Sequence, residues 1–451
     1  MAARDLLIHG ARVIDPAANR DEIADVLVRA GRVEAVDANL GTPDGAETID
    51  AGGQVVAPGL VDPHCHLRQP GFEYKETIGT GSRAAAAGGF TTICSMANTR
   101  PVADDRSVIE TILEFAEREA VVRVLPLASV TLGMQGRQLV QMGELVDAGV
   151  IGFSDDGIPL PSADTMRTAL EYATRFDRPI ANHSEDPSLI AGATMHEGLT
   201  STRLGLPAAP RQAEEIMISR DVLLSELTGG RYHALHLSSG GSVELIQRAK
   251  ERGAPVTAEV TPHHLTLTDA IVGGREEPTA ALLGPYDAST KVNPPLREPA
   301  DLDLLRAALA SGLIDCVGTD HAPHARHEKE VEFARADSGF SCFETAFATM
   351  LGLVHTGVLD LPTLIDRMTV APARVYDLPH GTLRPGAPAD IVIFDPDHEW
   401  VVDREQFLSK GHNTPYHGLP MKGRVLRTIF AGTTVFDLAA SAAETGGSVG
   451  A

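Results

Sequence analysis

Eight runs rich in Val, Ile and Leu recur through the middle of this chain: "GLVDPHCH", "TTICSMAN", "VVRVLPLAS", "GVIGFSDD", "RPIANHSE", "YHALHLSS", "APVTAEVTPHH" and "IDCVGTDHAPH". Each breaks off into small or polar residues. Between them lie longer stretches with apolar residues at helical spacing, among them "DDRSVIETILEFAEREA", "RQAEEIMISRDVLLSEL", "SVELIQRAKERG" and "PADLDLLRAALASG". Strand then helix, repeated, makes a parallel sheet, and eight repeats predict an α/β chain closed into a (β/α)8 barrel of the TIM type. The His, Asp and Asn residues gather just after the apolar runs. In such a barrel that C-terminal rim carries the active site.

The chain ends read differently. "DLLIHGARVID", "ADVLVRAGRVEAVD" and "ETIDAGGQVVAPG" are short β-like pieces separated by turns, and "GTLRPGAPADIVIFDP", "EWVVD" and "GRVLRTIFAGTTVFD" match them in style. They predict one small β-sandwich domain built from residues 1–58 and 379–438, flanking a barrel over 59–378, with a flexible tail at 439–451. A length of 451 residues suits one large domain plus a smaller one.

With 38 Lys plus Arg against 61 Asp plus Glu, a formal charge of -23, and no basic block, the chain is a poor partner for nucleic acid or an anionic membrane. Cys65, Cys94, Cys316 and Cys342 are far apart and form no Cys-x-x-Cys pair, so neither a disulfide framework nor a zinc ribbon is indicated. A reducing cytoplasm fits this usage. The start, "MAARDLLIHGARVID", places an acidic residue where a signal peptide has its apolar core, and no run approaches the ~20 residues of a membrane span.

The chemistry begins at "VDPHCHLRQPG". Strand alternation puts His64, His66 and Arg68 on one face and turns Cys65 away into packing. Two imidazoles on one face of a barrel mouth can bind one metal ion. His183 in "ANHSE", His236 in "HLSS" and Asp320 in "GTDHAPH" each close a predicted strand and add nitrogen and oxygen ligands of the kinds zinc takes. Two cations need an anionic bridge, which barrel hydrolases often make from a carboxylated lysine. No lysine occurs between Lys75 and Lys250, whereas the fourth run supplies Asp155 and Asp156, either of which is able to bridge.

At this point "DPHCHLRQPGFEYKETIGTGSRAAAAGGFTT", "MANTRP", "FSDDG", "KVNPPLR", "DHAPH" and the closing "KGHNTPYHGLPMKGRV" closely resemble the class I dihydroorotases of the amidohydrolase superfamily. The match runs over nearly the whole chain. The resemblance implies His64 and His66 as ligands of a first zinc and His183 and His236 as ligands of a second. It implies Asp156, by its interval to His183, as the carboxylate standing in for the modified lysine. It further implies that Asp320 touches the first zinc and shuttles the proton, that Arg68, Asn98, Asn293 and His324 contact substrate, and that Ser338 and Gly339 add main-chain contacts. One departure stands out: between Glu330 and Phe343 the chain reads "VEFARADSGFSC", where the family commonly has a Pro-Phe-Gly run.

The implied reaction is reversible hydrolysis of the cyclic amide of dihydroorotate to N-carbamoyl-L-aspartate, a step of pyrimidine biosynthesis. A metal-activated water is the nucleophile and Asp320 the general base and acid. The resemblance also implies one or two zinc ions per chain, a homodimer, and association with aspartate transcarbamoylase. Two rivals remain at this level. A hydantoinase or allantoinase opens related rings that lack the carboxylate which Arg68 and Asn98 would serve. A catalytically inert scaffold for the transcarbamoylase typically lacks metal ligands, and all six candidates are present here.

Overall fold

A computed structural model describes residues 5–274 and 283–441. The N-terminal part supplies β1 (Leu6–Asp15), β2 (Arg20–Arg29), β3 (Arg32–Asp37), β4 (Glu47–Asp50) and β5 (Val55–Pro58). Then follow β6 (Leu60–Cys65), β7 (Phe90–Ser95), β8 (Arg123–Pro126) and β9 (Ile180–Asn182), with a two-residue pair β10 (Met195–His196) and β11 (Ala208–Ala209) in the loop beyond. The chain continues through β12 (Tyr232–Ala234), β13 (Val256–Val260) and β14 (Cys316–Val317), and ends with β15 (Ile391–Val401), β16 (Pro420–Phe430) and β17 (Thr433–Asp437).

The barrel is a ring of parallel neighbours in chain order. β6, β7 and β8 form one arc, and β9, β12, β13 and β14 the other. Single-residue parallel bridges join the arcs, Ala128 to Phe153 to Ile180 on one side and Cys65 to His321 on the other. The run "GVIGFSDD", expected as a full strand, is thus reduced to a bridge at Phe153. Gly149 and Gly152 weaken it as a strand, and a side chain at position 152 would meet the Tyr376 ring at 2.9 Å. A helix follows each ring position: Ile78–Ala87, Arg106–Glu119, Met142–Asp147, Ala163–Ala173, Gln212–Thr228, Gly240–Glu251, Pro299–Ser311 and Phe343–His355. Local chemistry fixes their starts; Thr77 and Asp105, for example, accept hydrogen bonds from first-turn amides of their helices. The barrel floor is closed by the helix Val370–Val375 and Tyr376, which pack with the buried residues Cys94, Leu127, Ala181, Leu235 and Cys316. Polar groups are thereby confined to the opposite, open end.

The two chain ends share one eight-stranded sheet, ordered β17-β16-β15-β5-β1-β2-β3 with β4 also on β1. The expected sandwich is realised as a single sheet curled on itself. Its far strand β3 meets the segment that leads into β15, with Val33 N–H on Ala387 O at 3.0 Å and Ala389 N–H on Gly31 O at 2.9 Å. Alternation along the strands gives the sheet two apolar faces. Ile391 and Ile393 join Val13, Val26 and Ile49 in the sheet's own core, while Val392 and Phe394 pack with Phe90, Phe343 and Phe347 of the barrel. Of the tail expected at 439–451, residues 439–441 continue a helical turn and 442–451 lie outside the described residues. No helix among the described residues is long and apolar enough to cross a membrane.

Candidate active site

The rim residues arise from what the chain does just past each strand. His64 lies within β6, His183 directly follows β9, His236 follows β12 by two residues and Asp320 follows β14 by three. His236 and Asp320 hold positive φ, 32° and 48°, a region L-residues enter at a cost of about 1 kcal/mol or more. The turns they make aim both side chains across the mouth instead of along the barrel wall.

Asp156 stands at the centre. Its Oδ2 lies 3.3 Å from both His64 Nε2 and His66 Nε2. Its Oδ1 lies 3.2 Å from His236 Nε2 and 3.3 Å from His183 Nδ1. One carboxylate oxygen therefore faces each imidazole pair. Asp320 Oδ1 sits 3.0 Å from His66 Nε2 and 3.6 Å from His64 Nε2, on the first pair's side. Asp155 turns away: its Oδ1 accepts from the Val130 and Thr131 amides at 2.7 and 3.1 Å, tying the fourth ring position to the loop after β8. Burial raises that carboxyl to about 6 in spite of these bonds.

Burial by itself would strip protons from these imidazoles, yet the site does the opposite. The charges and hydrogen bonds of Asp156 and Glu259 outweigh burial at His64 and hold it well above its usual value. Burial at His183 is likewise overcome, by Asp156 and Glu185, and its value rises to about 10. Conversely, burial opposes ionisation of Asp156, but the His64 charge and hydrogen bonds from three imidazoles hold it well below the carboxylate range. A buried cluster of this composition attracts positive charge. Its donors, imidazole nitrogen and carboxylate oxygen, suit a divalent metal such as zinc. Within this cluster two of the three-residue groupings found among the described residues have ligand atoms close enough for one ion, His64 with His66 and Asp320, and His64 with Asp156 and His236. His236 Nδ1 is buried without a hydrogen-bond partner.

Behind the imidazoles stand residues that no sequence motif singled out. His64 Nδ1 donates to Glu259 Oε1 at 2.6 Å, and Glu259 Oε2 is 3.2 Å from His233 Nε2, whose other nitrogen reaches Thr257 Oγ1 at 2.8 Å. His183 Nε2 is 3.0 Å from Glu185 Oε2. Such carboxylates fix the tautomer and orientation of a ligating histidine. A signal for Glu259 was present in "VTAEV", where a lone carboxylate interrupts a strand with both faces covered. Asn98, expected at the substrate, accepts from His66 Nδ1 at 2.9 Å and so also backs a histidine.

Further out along the loops after β6 and β14 the chemistry changes sign. β6 ends at Cys65, so strand alternation does not bring Arg68 to this face; a left-handed turn does, with φ 62° at Arg68 itself. Its Nε donates to Pro323 O at 3.2 Å and its guanidinium lies 3.5 Å from His324 Nε2, neither of them a carboxylate. Burial pushes His324 down to about 4, with the Arg68, Lys329 and Lys75 charges adding to it against Asp337. His324 Nε2 donates to Ser338 O at 2.8 Å. The Gly339 N–H is spent on Lys291 O at 2.8 Å, so of the expected main-chain pair that amide faces inward. The Asn293 amide lies 3.1 Å from His183 Nε2, and Asn293, Glu185, Lys291 and Ser338 line a cavity of about 170 Å³ beside the imidazoles. Cys65, expected to pack, is buried with its thiol donating to Cys94 O at 3.3 Å.

The chain is similar to known proteins along nearly its whole length. The chain matches the family described as dihydro-orotase-like over residues 53–242 and the amidohydrolase family over residues 276–436. It is 47% identical over 432 residues to the dihydroorotase of Anaeromyxobacter dehalogenans, covering 96% of this chain and 98% of that protein. It is 48% identical over 431 residues to that of Pelotomaculum thermopropionicum, covering 95% and 98%. Among solved structures, the L-hydantoinase (dihydropyrimidinase) of Arthrobacter aurescens superposes with a TM-score of 0.85 at 28% identity, over 97% of this chain and 96% of that one.

Proposed function

The chain belongs to the dihydroorotase family of the amidohydrolase superfamily, and from that membership we propose how its residues divide the reaction. It is a hydrolase of cyclic amides, opening dihydroorotate to N-carbamoyl-L-aspartate and able to run in reverse toward ring closure. The observation that carries the residue assignment is Asp156, one oxygen toward His64 and His66 and the other toward His183 and His236, with Asp320 alongside.

His64, His66, His183, His236, Asp156 and Asp320 would hold the metal, and Asp156 takes the place of a modified lysine. When bound, the metal lowers the pKa of water toward ~7 and polarises the amide carbonyl. Asp320 accepts the proton of the attacking water and returns it to the ring nitrogen as the amide bond breaks, one carboxylate serving both directions. Glu259 and Glu185 keep the imidazoles turned toward the centre. Arg68 offers its planar fork to the substrate carboxylate and holds that group away from the metal ligands. His324, neutral over the working pH range, lies beside Arg68 without adding charge, and because its Nε2–H is spent on Ser338 O the guanidinium keeps its own N–H groups for substrate. Asn98, Asn293 and the Ser338–Gly339 turn complete the walls.

We take the metal to be zinc, two ions per chain, because imidazole dominates the donor set. The cytoplasm, a homodimer and association with aspartate transcarbamoylase complete the reading. Dihydroorotate turnover assayed alongside metal content tests it: activity should track bound metal and vanish on chelation. Hydrolysis of hydantoin or allantoin with dihydroorotate left intact would sink the assignment.

A further inference from the structure

Two lysines with no part in the proposed reaction hold the 334–339 loop from beneath. Lys291 Nζ donates to Ala334 O at 3.0 Å and Ala336 O at 2.7 Å. Lys329 Nζ donates to Asp337 O at 2.7 Å and Gly339 O at 3.0 Å. Both residues are buried, at 8% and 7% exposure, where lysine is seldom found. The loop turns four carbonyls toward the two amines, one pair to each lysine.

Everything else in the loop follows from this clasp. Asn413 Nδ2 also donates to Gly339 O at 3.0 Å. Gly339 has φ 116°, and a side chain there would meet the Ala322 side chain at 2.6 Å. Ser338 O is left facing His324 Nε2, and His324 faces Arg68. On the outer side, the Asp337 carboxylate pairs with Lys75 at 3.1 Å and lies 3.3 Å from His324 Nδ1. Burial and the Lys291 charge push Lys329 down to about 7, and even a neutral amine keeps an N–H for each of its two carbonyls.

We propose that Lys291 and Lys329 are positioning residues for substrate recognition: they clasp the 334–339 loop so that Ser338 O fixes the His324 ring, and the fixed ring packs against Arg68 and bounds the space its guanidinium occupies beside the substrate carboxylate. The inference rests on the proposed roles of Arg68 and His324. An apolar replacement of Lys291 takes the donor from Ala334 O and Ala336 O, and one of Lys329 takes it from Asp337 O while Asn413 still serves Gly339 O; the loop can relieve either loss only by moving.

The test uses the full, metal-loaded chain with Lys329→Met and, independently, Lys291→Met, in case one variant does not fold. Amide exchange at Gly339 and Ser341 should quicken about tenfold or more. KM for dihydroorotate should rise about tenfold while kcat stays within about threefold and metal content is unchanged. Combined with Arg68→Met, the lysine change should add little to KM, because both act on one contact. Lys329→Gln, which keeps a donor, should recover part of the loss. Unchanged exchange in both variants overturns the clasp, and faster exchange with unchanged KM overturns its role in recognition. A wild-type chain inert toward dihydroorotate would instead sink the functional reading, and exchange would still decide the clasp.

Discussion

At the centre of the barrel mouth His64 and His183 are held above the ordinary histidine value, while a few residues further along the loop after β14 His324 is pushed down to about 4. All three are buried, and burial pushes all three downward. The difference lies in their neighbours. Asp156, Glu259 and Glu185 overcome burial in the first region; Arg68, Lys329 and Lys75 reinforce it in the second. The first region therefore draws in cations and the second an anion. A substrate with an amide at one end and a carboxylate at the other fits across the two in one orientation.

The strongest way to break this contrast is to neutralise the first region. Asp320→Asn should keep metal, since the four imidazoles and Asp156 remain, yet lose about 10²–10⁴-fold in kcat; unchanged turnover would remove Asp320 from proton transfer. A smaller change tests the support behind it. Glu259→Gln should weaken metal affinity about 10- to 100-fold, read by chelator competition, through loss of the carboxylate charge that His64 Nδ1 meets at 2.6 Å. Equal affinity would leave Glu259 a packing residue.

The second region is sharpened by pH. The folded value of His324, about 4, lies below the unfolded value of about 6.5. As pH falls from 6.5 to 4 the unfolded chain takes up the proton first, so the folded state loses stability in that window and loses no more below it. His324→Gln should remove this slope, on the order of 3 kcal/mol by pH 4, in melting curves of the metal-loaded protein. Parallel curves for the two proteins would place His324 outside the charged region's influence.

Much of this architecture is legible in the sequence itself. The eight apolar runs and the polar residues trailing them give the barrel and its rim, because a strand buried on both faces leaves a chemical signature of its own. The residues alone leave Asp155 and Asp156 equal, and only the family resemblance, through the interval to His183, favours Asp156; the structure turns Asp155 onto backbone amides. Other features are illegible for physical reasons. The fourth strand shrinks to one bridge because two glycines and the Asp155 turn outweigh its apolar composition. Arg68 reaches the mouth through a left-handed turn that strand periodicity does not foresee. Lys291 and Lys329 read as surface charges until the loop carbonyls that hold them are seen. Glu185 and Glu259 are single residues whose meaning depends on the distant histidines they touch.

The central claim, that one mouth pairs a cation-binding region with a carboxylate-binding region, is tested most directly by comparing dihydroorotate with dihydrouracil, the same ring without the carboxylate. The metal-loaded chain should favour dihydroorotate in kcat/KM by at least about 10³-fold, and Arg68→Met should erase most of that preference through KM with metal content intact. Equal turnover of both rings by the wild-type chain, or a preference that survives Arg68→Met, would contradict the account.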